Sequence, residues 1–149
     1  MAVHTLLSKE EICIFLKKYS IGFLKSYNGI SEGIENTNYL IETSKKKFIF
    51  TIFEKRVSTK DLPFFFDLMT FSKEKEINCP LPILDNKNNR LNNIKNKKCA
   101  IFSFIEGSYL KKWDKNDCFA IGKILGEFHL QNKHFKLKKK KQFLDTKME

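Results

Sequence analysis

At 149 residues, 42% hydrophobic with 15 phenylalanines, the chain has the length of one domain and enough apolar mass for a real core. Its best apolar run, residues 99–105, is far short of the roughly 20 residues of a membrane-spanning helix, and the opening MAVHTLLSKEEICIF lacks the basic flank and apolar stretch of a secretory signal. The net charge of +11 comes from scattered lysines (residues 45–47, Lys95 with Lys97 and Lys98, residues 138–141), a pattern that fits a solvated basic surface rather than a nucleic-acid footprint.

In chain order, Ser8 and Glu11 read as a capping box. The helix that follows sets Ile12, Phe15, Leu16 and Tyr19 on one face, and Gly22 is expected to end it. Alternating patterns predict strands over 23–29, 38–43 and 48–53, the last two joined by the polar turn 44–46. A second helix is predicted from Asp61 to Lys75, with Pro63 in its first turn and Phe65, Phe66, Leu68 and Met69 as its apolar side. CPLPIL (79–84) must be extended, because residues before proline avoid the helical region. DNKNNRL (85–91) reads as a polar hairpin turn and KCAIFSFIEG (98–107) as a buried strand. Asp114 is placed to cap a last helix over 115–132, with Ile121, Ile124, Leu125 and Phe128 inward. His129 borders that stripe and reads as a core or boundary residue. Beyond Lys136 the pattern dissolves. Cys13, Cys79, Cys99 and Cys118 stand far apart with no C-x-x-C pair, so reduced thiols are expected rather than a zinc site or a disulfide framework.

The order is helix, three strands, helix, two strands, linker, helix. This is an α+β pattern that suits the smaller lobe of a two-lobed kinase. Between the first two strands lies a long turn, GIENTN (33–38). Gly33 permits close approach, and Asn36 and Asn38 tolerate left-handed backbone, so several amides can point inward and hold an anion. A plain asparagine-rich hairpin turn uses the same residues.

GIENTNYLIET, FIFTIFEKRV, DLPFFFDLM, CPLPI, FIEG and LGEFHL, in this order, resemble the bacterial homoserine kinases of the aminoglycoside-phosphotransferase-like family, as do MAVHT and YSIGFLKSYNGISEGIENTNY. The resemblance implies a protein-kinase-like N-terminal lobe over 1–105, a five-stranded antiparallel sheet with a helix. Residues 106–149 would then be the hinge exit and the truncated start of the catalytic lobe. It implies a cytoplasmic enzyme of threonine biosynthesis that uses ATP and Mg2+ to convert L-homoserine to O-phospho-L-homoserine. By the same likeness, Gly33, Asn36, Thr37 and Asn38 would cover the ATP phosphates as a glycine-rich loop does. The Ser103 carbonyl and the Ile105 amide would pair with adenine, with Ile34, Ile49 and Phe102 available to sandwich the ring.

Kinases of this shape carry a lysine on the third strand. Strand counting puts Thr51 there. Period-two alternation sets Thr51, Phe53 and Lys55 on one face, so Lys55, or failing it Arg56, would supply the charge. Asp67 is the nearest acid on the second helix, either as the paired carboxylate or as a solvated residue. No histidine is followed two positions on by aspartate, so the family's H-x-D-x-x-x-x-N loop is absent from these residues. No catalytic residue is assigned, and the magnesium ligands are expected beyond them. Two other readings stay open: a related kinase of another small hydroxyl acceptor, and a non-catalytic nucleotide- or polyanion-binding remnant. A truncated lobe should leave Phe102, Phe104, Ile121, Leu125 and Phe128 partly uncovered, and the chain is then expected to self-associate.

Overall fold

Ser8 closes the capping box in the computed structural model, which describes residues 3–32, 34–54, 58–108 and 112–135. Its hydroxyl accepts the Glu11 amide at 3.2 Å while the Glu11 carboxylate accepts the Ser8 amide at 2.8 Å. Helix α1 (Lys9–Leu16) ends well before Gly22, because the amides of Lys18 and Tyr19 fold back to the carbonyls of Phe15 and Leu16 and tighten the chain into a turn. Gly22 serves the reversal that follows. It has φ +92°, and a Cβ there would meet the Ser44 hydroxyl at 2.4 Å.

Strands β1 (Leu24–Ile30), β2 (Thr37–Thr43), β3 (Lys47–Ile52), β4 (Asn92–Ile94) and β5 (Lys97–Ser103) form one antiparallel sheet in the order β1-β2-β3-β5-β4. Alternation decides what each face carries. Tyr39, Ile41, Phe48, Phe50, Ile52, Cys99 and Ile101 are buried with Ile12, Phe15 and Leu16 of α1, and the Phe15 and Phe50 rings stack at 4.6 Å. On the opposite face, Phe53, Ala100 and Phe102 pack with Leu62 and Phe66 of α2 (Leu62–Glu74). Phe66 meets Phe102 edge-on at 5.6 Å, so Phe102 is covered rather than left open as expected. Each such phenylalanine contributes about 1.5–3 kcal/mol by burial.

Three elements differ from the sequence-based expectation. Residues 79–84 run beside β5 but make a single bridge, Pro82 to Phe102. Pro80 and Pro82 lack the donors of a ladder, so only Ile83 and Leu81 bond to Ile101 and Ser103. The true fourth strand is the short, polar β4. A two-residue turn joins it to β5, with Lys95 and Asn96 both left-handed (φ 46° and 61°). Third, β5 ends at Ser103 rather than at Gly107.

Helix α2 closes with Glu76 at φ 63°, the Glu76 amide bonding Lys73 and the Ile77 amide bonding Ser72, the pairing of a Schellman cap. Helix α3 (Lys115–Gln131) starts at Asp114, whose carboxylate accepts the amides of Asn116 and Asp117. Its inward residues are not inward: Ile121, Ile124 and Leu125 are 47%, 60% and 53% exposed, because no described element lies over that face. His129 is likewise exposed. The chain docks on α2 just beyond α3. Ser72 donates to the Asn132 side-chain oxygen at 2.9 Å, and the Phe135 ring lies against Phe64 and Phe71. Among the described residues no helix is long and apolar enough to cross a membrane.

Candidate nucleotide site

The β2–β3 register sets Asn38 opposite Thr51. Tyr39 and Phe50 belong to the α1 face, so Asn38 and Thr51 both belong to the α2 face. There the Thr51 hydroxyl donates to the Asn38 side-chain oxygen at 2.8 Å. Thr51 is buried beside Ile49, which packs with Phe102 and Ala100. This patch, one amide and one hydroxyl over an apolar floor, lies next to the end of β5.

Thr37 is on the other face. It is fully buried, its hydroxyl accepting the amides of His4 and Thr5 at 2.9 and 3.0 Å and donating to Glu54 at 2.9 Å. Only its backbone remains for a ligand above the turn. Asn36 is also engaged, its side-chain oxygen accepting the Glu54 amide at 3.3 Å. Neither Asn36 nor Asn38 is left-handed. Among the described residues, positive φ at non-glycine positions belongs to Glu76, Asn88, Lys95 and Asn96. The asparagines of the turn therefore work through side-chain bonds and extended backbone, which corrects the expected left-handed geometry. Ile34 is 79% exposed. Gly33, Lys55 and Arg56 lie outside the described residues.

At the end of β5, Ser103 gives its amide to the Leu81 carbonyl and its hydroxyl accepts the Leu81 amide, both at 2.9 Å. What Ser103 can offer a base is its carbonyl. Ile105 follows, exposed, and then Glu106, which faces Lys47 at 3.4 Å. Asp67 on α2 is held by Arg90 at 2.6 Å, with the guanidinium over the Phe66 ring. The 85–91 loop thus brings an arginine to Asp67, whose side chain stays 34% exposed.

Sequence reasoning missed Glu54, Lys97 and Thr5. The Glu54 side chain is 11% exposed and ion-paired with Lys97. Its carboxylate also accepts the hydroxyls of Thr5 at 2.6 Å and Thr37 at 2.9 Å. Burial pushes this carboxyl up, yet the bonds from Lys97, Thr5 and Thr37 outweigh it and hold the carboxyl below its usual range. The only signal in the sequence is a glutamate directly after an apolar strand. Among the described residues, no three His, Cys, Asp or Glu side chains come together in a way that could hold a metal ion.

The sequence pattern of the phosphotransferase enzyme family matches residues 26–139. Among curated relatives, the homoserine kinase of Rhodopseudomonas palustris strain TIE-1 is 42% identical over 139 residues, 93% of this chain and 42% of that protein. The homoserine kinases of Agrobacterium fabrum and Bartonella tribocorum are each 40% identical, over 93% and 94% of this chain and 43% and 44% of theirs. The chain thus spans less than half the length of the curated relatives it matches. A solved structure of spectinomycin phosphotransferase, in complex with ADP and spectinomycin, superposes on 85% of this chain and 39% of its own, with a TM-score of 0.66 at 12% identity. That likeness concerns the fold, and it agrees with the five-stranded antiparallel sheet and its helices. With the family pattern running from β1 through α3, the chain belongs to the phosphotransferase enzyme family.

Proposed function

We propose that this chain is the nucleotide-binding part of an ATP-dependent kinase that phosphorylates L-homoserine to O-phospho-L-homoserine. Residues 1–105 form its smaller lobe, and 106–149 carry the hinge exit and the start of the catalytic lobe. The observation that carries the reading is the match to proteins named homoserine kinase, at 42% identity across 93% of the chain. In this reading the enzyme works in the cytoplasm, in threonine synthesis.

Phosphoryl transfer asks a protein mainly for positioning and charge neutralisation. Ile49, half-buried on the α2 face, provides an apolar wall for the base, and the Ser103 carbonyl with the Ile105 amide provides its acceptor and donor. Backbone amides of the β1–β2 connection, from Gly33 to Asn38, cover the phosphates. Thr51 stands where a strand lysine would be, and its hydroxyl carries no charge, so Lys55 is assigned the neutralising role. Mg2+ does not fit the described residues, which bring no metal-holding cluster together. Its ligands are assigned to the rest of the enzyme.

Two measurements test this. Calorimetric titration of the chain with ATP should show one-to-one binding. A chimera, in which this chain replaces the matching segment of the Rhodopseudomonas homoserine kinase, should transfer radiolabel from ATP to homoserine. The chain by itself should bind without turnover, since it holds no H-x-D-x-x-x-x-N. A folded chimera that ignores homoserine, or a chain that does not bind ATP, would overturn the proposal.

A further inference from the structure

Glu54 stands two residues beyond β3 and joins four parts of the lobe. Its amide reaches the Asn36 side chain at 3.3 Å. Its carboxylate takes the hydroxyls of Thr37 and Thr5 and the ammonium of Lys97, at the start of β5. Lys97 in turn donates to the Thr5 hydroxyl at 2.7 Å. The amides of His4 and Thr5 close the set on the Thr37 hydroxyl. A carboxylate withdrawn this far from water persists only when its lone pairs are matched, and here donors from three elements match them. Asn36 and Thr37 are where the β1–β2 connection passes into β2, so the cluster fixes that connection at its downstream end. It does so from the face opposite Asn38 and Thr51.

We infer that Glu54 and Lys97 are positioning residues for the nucleotide's phosphates. Through Asn36 and Thr37 their ion pair holds the backbone that covers those phosphates, and neither side chain touches the nucleotide. The role rests on the nucleotide reading above. Its signature is selective. A loosened connection must be ordered again each time phosphates bind, whereas adenosine, seated on the α2 face and the hinge, makes no use of it.

The test compares wild type with Glu54→Gln, Lys97→Met, the double variant and Lys95→Met. The last removes a different ion pair, Lys95 with Glu11 at 2.9 Å, together with a bond to the Leu6 carbonyl at 2.8 Å, and neither touches the connection. Dissociation constants for ATP and adenosine are measured on each, together with hydrogen exchange at the amides of residues 34–38. Glu54→Gln and Lys97→Met should each weaken ATP about tenfold, the scale of one charge-assisted hydrogen bond, and leave adenosine within about twofold. Exchange at 34–38 should quicken while the β3 and β5 amides hold. The double variant should be no worse than either single change, since the pair acts as a unit. Lys95→Met should alter none of these. If ATP and adenosine weaken together, or exchange rises evenly across the sheet, the pair is merely structural and the inference is wrong. Should Glu54→Gln fail to fold, Thr5→Val removes one hydroxyl donor from the carboxylate, keeps the ion pair, and must show the same selectivity. A wild-type chain that binds neither ligand sinks the nucleotide reading and this role with it. Binding with an unchanged ratio of ATP to adenosine affinity sinks this role alone.

Discussion

The Asp85 carboxylate accepts the backbone amides of Asn89 and Lys87 and the side-chain amides of Asn89 and Asn92. These bonds, that of the Asn89 amide foremost, hold its carboxyl down to about 2 against the opposing effect of burial. The folded value lies below the ordinary 3.8. The stability it adds is therefore complete above that pH and is lost as pH falls towards 2. Asp85→Asn should lower stability at pH 7 and flatten the acid limb of urea unfolding between those values; an unaltered acid limb would contradict the assignment. Cys99 is fully buried, and burial pushes its thiol up to about 12, whereas Cys118 is exposed. Iodoacetamide at pH 8 should label Cys118 in the native protein and Cys99 only after unfolding, as peptide mapping would show. Reduced thiols are readable from cysteine spacing, but which thiol is buried is not. The same limit applies at the candidate site. Alternation along β3 reveals the face of Thr51, because period two is local. The pairing of Glu54 with Lys97 spans 43 positions and exists only because β3 and β5 are neighbours in the sheet.

Caps and amphipathic faces are local too, which is why α1, α2 and the start of α3 are legible at Ser8, Pro63 and Asp114. β4 is not, being three polar-flanked residues followed by a left-handed turn without glycine. Nor is the outward face of α3, since its apolar spacing is the same whether or not anything covers it. Two substitutions probe the elements. Phe50 is fully buried at the centre of β3, opposite Tyr39 and Ile101 and stacked on Phe15. Phe50→Ala should cost about 3–5 kcal/mol in denaturant unfolding, by lost burial and the cavity left behind. A loss under about 1 kcal/mol would mean that α1 is not seated on the sheet as described. At the end of α2, Glu76 sits in the left-handed conformation that glycine adopts without penalty. Glu76→Gly should therefore raise stability by about 1 kcal/mol, and destabilisation would count against the Schellman cap.

Across the whole molecule, a charge of +11 opposes association while the open face of α3 favours it. Ile121, Ile124 and Leu125 are all exposed there. We expect the apolar term to prevail at high concentration, since it is short-ranged and the charge is screened by salt. Light scattering over a dilution series should show mass growing with concentration, and more so as salt is raised. A monomer at every dilution would show that the face is tolerated in water. Retention on DNA should be weak and vanish at moderate salt, because each neutralised phosphate costs roughly 0.9 log units of affinity per decade of salt. Binding that persists would favour a polyanion-binding role over the kinase.

The N-terminal segment takes its anchors from far down the chain. The amides of His4, Thr5 and Leu7 bond hydroxyls 33, 32 and 32 positions away, and Thr5 meets Lys97 at a separation of 92. Contacts this remote form late, since their loops close only after nearer pairings have shortened the path between the ends. On a growing polypeptide, residues 4–7 leave the ribosome long before Lys97 does. They can meet Thr37 and Tyr39 once β2 is made, but their contact with Lys97 must wait until the first four strands are complete.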